Sequence, residues 1–121
     1  MHEKFEKEAI KLIKKYQKLL FLDIHNITLK HDPEIKEGFA MEMEPRYPYL
    51  SGDITYNDKA IKRWQEGDLE EYICHELIHI ITAPLDYVAK KRSATEDEIN
   101  ETEERLTDTI TRIILNLTRQ L

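Results

Sequence analysis

The sequence is poor in the residues that bring cross-links, linkers and membrane spans. It has one cysteine, Cys74, among 121 residues. No internal disulfide can form, and nothing points to an oxidising compartment. There is no internal repeat or low-complexity linker. No stretch approaches the roughly 20 apolar residues of a membrane span. The opening "MHEKFEKEAIKLIKK" is charged throughout, so it lacks the apolar core of a signal peptide. An excess of basic residues is also missing. Formal net charge is −6 with 35% charged residues, which argues against sequence-independent nucleic-acid binding. A 40% hydrophobic content is too high for a disordered chain. These absences leave one soluble domain, residues 1–121, expected to be cytoplasmic and a monomer or weak oligomer.

What is present begins with an amphipathic pattern over 2–22. Phe5, Ala9, Leu12, Ile13, Tyr16, Leu19 and Leu20 recur at helical spacing, with a solvated face of lysines and glutamates. The period then changes to two. "NITLKH", "GFAMEME" and "GDITYN" read as three strands, separated at Asp32-Pro33 and at Pro45, Pro48 and Ser51-Gly52. Short connections without crossover helices predict a mostly antiparallel sheet. Met41 and Met43 share one face and belong to the core. The aromatic "RYPYL" suits either a cleft lining or a plug over the sheet edge. "DKAIKRWQEGD" predicts a short helix ending near Gly67. "DLEEYICHELIHIIT" predicts another, capped by Asp68, with Glu70 and Glu71 in its first turn and Pro84 at its end. "PLDYVAKKRS" is expected to be a connection with one helical turn. Thr95 to Glu98 has capping-box spacing and opens a long helix with Ile99, Leu106, Ile110, Ile113, Ile114 and Leu117 on one side. The fold class is therefore α+β: an N-terminal helix, a small three-stranded sheet and two long C-terminal helices.

The helix containing "CHELIHII" is apolar around most of its circumference, which marks a central element. Two histidines and a glutamate inside it are costly without a strong partner. His75 and His79, four residues apart, lie about 40° apart on adjacent turns, so both imidazoles can reach one ion. Zinc accepts histidine nitrogen, and a catalytic zinc takes three protein ligands. Glu76 lies about 100° from His75 around the axis, beside the metal, where its carboxylate can take a proton from attacking water. The third ligand is expected from the long helix. Its apolar stripe steps by seven from Ile99 to Leu106, and Glu103 fills the gap. Glu104 is expected to point away, with Asp108 one turn below it. Cys74 is expected to be a buried small hydrophobe. His2, His25 and His31 are expected on the surface, though any could occupy an open zinc position. Tyr56, Tyr72 and Tyr87 are expected to be structural, each a weaker candidate for donating to an oxyanion.

"HELIH" followed by "ETEERLTDTI" resembles the gluzincin branch of zinc metallopeptidases, the branch of thermolysin, and the layout is similar to the small prokaryotic and phage-type minigluzincin-like group. The likeness covers roughly residues 24–119. It implies a zincin-like fold, one Zn2+ ion bound by His75, His79 and Glu103, Glu76 as general base, and hydrolysis of a peptide or protein substrate. Family members of the thermolysin type have Asn before the glutamate ligand and Asp four residues after it. Thr102 and Thr107 stand there for Glu103, whereas the register of Glu104 restores the Asp as Asp108 but has Glu103 in place of Asn. The stripe favours Glu103. The likeness also implies that "GDITYN", if it is an edge strand, would receive extended substrate through backbone hydrogen bonds. Thermolysin-like enzymes have a second domain below the cleft, which this sequence does not extend into. That motivates the alternative expectation of a catalytically weak or latent zinc-binding module acting in protein–protein interaction.

Overall fold

The structure, a computed structural model, describes residues 2–34, 39–46, 49–90 and 94–120, with only the backbone of Val88. The elements run α1 (His2–Leu19), β1 (Asn26–His31), β2 (Met41–Pro45), β3 (Ser51–Tyr56), α2 (Asp58–Gln65), α3 (Leu69–Ala89) and α4 (Glu96–Arg119). Tyr47 and Pro48 of the aromatic cluster, and residues 91–93 of the last connection, lie outside the described residues. Tyr49 and Leu50 are exposed.

α1 buries Phe5, Ala9, Ile13 and Tyr16, while Leu19 is exposed. The helix ends with Phe21 in the left-handed region at φ 58°. The Leu22 N–H reaches back to the Gln17 carbonyl at 2.7 Å and the Phe21 N–H to Lys18 at 3.3 Å, the paired bonds of a Schellman stop. α2 starts where the Asn57 side chain accepts from the Lys59 N–H, and the chain turns after it at Gly67, φ 90°.

The three strands form one sheet in the order β1-β3-β2. It is mixed, not mostly antiparallel. β2 pairs with β3 antiparallel, but β1 pairs with β3 parallel, from Asn26↔Ser51 to His31↔Tyr56. The connection from β1 leaves a one-strand gap before β2, and the return strand β3 fills it. A parallel neighbour thus arises without a crossover helix between adjacent strands. "GDITYN" is consequently the central strand and not an edge. Its alternate residues Gly52, Ile54 and Tyr56 are buried, and a Cβ on Gly52 would come within 3.0 Å of Met43 Sδ. The edge beside α3 is β2, whose Met41 and Met43 face the core as expected.

α3 runs through Pro84 to Ala89, so the proline does not end it. Proline costs a helix one backbone bond, here the one to the Ile80 carbonyl. The apolar, core-facing character of the helix outweighs the loss. Ile73, Cys74, Leu77 and Ile78 are fully buried. The Tyr16 hydroxyl donates to Glu70 and joins α1 to the first turn of α3.

α4 is capped as its sequence indicates, Thr95 Oγ1 accepting from the Glu98 N–H at 3.2 Å. Its buried face, however, is rotated from the expected stripe. Leu106, Ile113 and Leu117 are exposed, whereas Ile99, Thr107, Thr111 and Leu115 are buried. The Thr111 hydroxyl donates back to the Thr107 carbonyl at 2.7 Å, so its methyl can pack as an apolar group. This rotation decides which carboxylates of α4 face α3. No helix among the described residues is long and apolar enough to cross a membrane.

Candidate metal centre

One turn of α3 places His75 Nε2 3.2 Å from His79 Nε2. The facing turn of α4 contributes Glu104, one carboxylate oxygen 3.2 Å from His75 Nε2 and the other 3.1 Å from His79 Nε2. Three ligand atoms, one from each residue, lie within 4.8 Å of one another. A zinc tetrahedron with arms of about 2.0–2.1 Å has edges of roughly 3.3 Å. The Nε2–Nε2 separation matches that edge, and each Nε2 stands at a similar distance from a different oxygen of Glu104, so the carboxylate spans the pair.

Each imidazole is held from its other nitrogen. Asp108 lies 2.8 Å from His75 Nδ1 and Glu103 3.1 Å from His79 Nδ1. Carboxylates in these places hold protons on Nδ1 and turn Nε2 to Glu104, where a protonated ring donates to the carboxylate and a neutral ring would offer its lone pair to a metal, the arrangement of outer partners around a metal-bound histidine. Glu103 therefore does face α3, as its stripe position indicates, but it meets the outer nitrogen of His79. Glu104, expected to point away, sits in the cluster. The reason is the rotation of α4, whose contact face is centred between the line of Glu103 and Thr107 and the line of Glu104, Asp108, Thr111 and Leu115.

The electrostatics report the same arrangement. Burial opposes a charged His79, yet hydrogen bonds with Glu103 and Glu104 outweigh it and raise its pKa to about 10. His75 is desolvated too and is likewise raised by Glu104 and Glu76. Hydrogen bonds from His75 and His79 hold Glu104 well below the usual carboxylate range. Two lone pairs and a carboxylate converge, so the cluster takes up positive charge; without a metal, a proton supplies it.

Glu76 is buried, with 5% of its surface exposed. Burial pushes its pKa up to about 7, against the two neighbouring imidazoles and a hydrogen bond from the Met43 N–H on β2. This partner could not be read from the sequence, since it depends on which strand borders α3. A cleft of about 380 Å³ opens beside it, lined by Phe39, Ala40, Met41, Tyr72, His75 and Glu76 among others. Tyr72 is the one of the three tyrosines at this cleft. The Tyr56 hydroxyl donates to Glu6 elsewhere in the core, and Tyr87 is exposed on the last turns of α3. Cys74 is buried, and burial raises its thiol to about 12. Of the spare histidines, His25 is half-buried, whereas His2 and His31 meet each other in a separate cluster. No protein-family model, no curated protein and no solved structure matches this chain.

Proposed function

We propose that the chain is a zinc-dependent peptide hydrolase of zincin-like, gluzincin-type construction, with His75, His79 and Glu104 as ligands and Glu76 as general base. The observation that carries this is the convergence of two Nε2 atoms and the Glu104 carboxylate, one ligand atom from each residue within 4.8 Å of the others, with both Nδ1 atoms already committed to Asp108 and Glu103. Glu104 replaces Glu103 as the proposed third ligand, and Glu103 becomes the residue that orients His79.

A bound zinc ion would supply Lewis-acid polarisation of a scissile carbonyl and a more acidic water. Glu76 accepts the proton of the attacking water as the oxygen bonds to the carbonyl carbon. It returns that proton to the amide nitrogen as the carbon–nitrogen bond breaks. A pKa near 7 suits both transfers. His75, Asp108, His79 and Glu103 hold the ligand geometry. β2, the sheet edge at the cleft, is the place for an extended peptide to pair through its backbone.

Glu76→Gln tests this reading. The variant keeps the ligand set and should bind zinc as the parent does, while cleavage of casein or a quenched peptide library falls by at least about a hundredfold. Equal cleavage by the variant would remove Glu76 from the mechanism. A zinc-loaded parent that cleaves no peptide would leave a zinc-binding module in place of a hydrolase.

A further inference from the structure

A second set of metal-ligand atoms lies where the N-terminus of α1, the end of β1 and the start of α2 meet. His2, His31 and Asp58 each offer one ligand atom, and the three lie within 4.8 Å of one another. His2 Nε2 is 3.4 Å and His31 Nε2 3.2 Å from the same oxygen, Asp58 Oδ1. These are again the edge lengths of a tetrahedron around zinc, roughly 3.3 Å.

The support behind the ligands is also present. His2 Nδ1 lies 3.5 Å from the Tyr56 hydroxyl, which donates to Glu6. Tyr56 is fully buried, so this contact ties His2 to the core. The His31 ring packs on the same tyrosine, 5.1 Å between centroids, and stands edge-on to His2 at 4.6 Å. The backbone of Asp58 is placed by the first turn of α2, next to the Asn57 cap, and its exposed carboxylate meets both imidazoles. The two imidazoles thus present Nε2 to one carboxylate from three separate elements, and solvent reaches the remaining side of the set.

We propose that His2, His31 and Asp58 form a second, solvent-open site for a divalent metal of the zinc class, independent of the cluster on α3 and α4. Imidazole and carboxylate ligands suit zinc and its first-row neighbours. A metal here adds a surface tie between the start of α1, β1 and α2 to the buried packing of Phe5 on Tyr56 and Trp64. Its three ligands are all exposed, whereas His75 and His79 are largely shielded, so zinc binds more weakly here. The proposal does not rest on hydrolysis, nor on zinc at His75 and His79.

The test is zinc titration by calorimetry, with elemental analysis, on the full chain carrying no histidine tag. The parent should bind two zinc ions. His31→Asn and Asp58→Asn, both at exposed positions, should each lose the weaker one and keep the other, with unchanged circular dichroism. His79→Gln should lose the tighter ion and keep the weaker. In parallel, the imidazole proton resonances of His2 and His31 should shift as the second equivalent is added. If zinc binds only at His31 and Asp58, the second site stands while the buried centre fails. If His31→Asn and Asp58→Asn both retain the parent's zinc stoichiometry, or the His2 and His31 resonances do not respond, the second site is overturned.

Discussion

His79 shows how a single residue is committed by its neighbours. Glu103 holds Nδ1, Glu104 approaches Nε2, and only about a tenth of the side chain meets solvent. In zinc-free protein the imidazole is protonated to complete this network. Its pKa is raised from the ordinary value of about 6.5 to about 10, so the charged form stabilises the fold. That contribution is full below the unfolded value and is lost as pH rises through the folded one. The urea midpoint of zinc-free protein should therefore fall between about pH 6.5 and pH 10, and the fall should be much smaller in His79→Gln. Zinc-loaded protein, which needs neutral imidazoles, should show the opposite trend: stabilisation by zinc grows with pH. The histidine pair was legible from its spacing alone. The α4 carboxylate that meets both histidines was not, because Glu103 and Glu104 are adjacent, and a turn of about 100° between them exceeds what the stripe could resolve once Thr107 and Thr111 were left out of the core.

Among the elements, α3 and α4 carry the site, and their faces explain what the sequence revealed. α3 is apolar nearly all round, so its place at the centre could be read directly. Its continuation through Pro84 could not, because a proline normally marks a helix end. α4 hides its packing face behind threonines, and several larger apolar residues stay exposed. The end of α1 offers a direct check on local chemistry. Phe21 holds a left-handed conformation, φ 58°, with 91% of its surface exposed, and closes a stop motif that glycine normally serves. Phe21→Gly should stabilise the protein by about 1 kcal/mol, since it removes the Cβ clash and little packing is lost. Urea denaturation measures the change. A loss of stability would mean that the phenyl ring contributes packing that its exposure does not show.

At the scale of the whole molecule, the small sheet turns its edge strand β2 toward the motif helix and lends it one backbone donor, that of Met43 to Glu76. Three strands could be counted from their period of two and their turn residues. Their order could not, since short connections favour antiparallel neighbours and give no sign that β3 slots between its predecessors. The consequence bears on the proposal: the edge strand at the cleft, where a substrate would pair, is β2. The proposed hydrolase depends on one assembly of α3, α4 and this edge, and the second metal-ligand set ties down the opposite ends of the chain's first elements. The most direct test of the central proposal is zinc content after equilibration and dialysis in an Asp58→Asn background, with Glu104→Gln and Glu103→Gln compared. The parent background should retain one zinc ion per chain. Glu104→Gln should lose it, and Glu103→Gln should keep it with affinity weakened by about 10–100-fold. No retained zinc in the parent background, or loss on Glu103→Gln with retention on Glu104→Gln, would contradict the account.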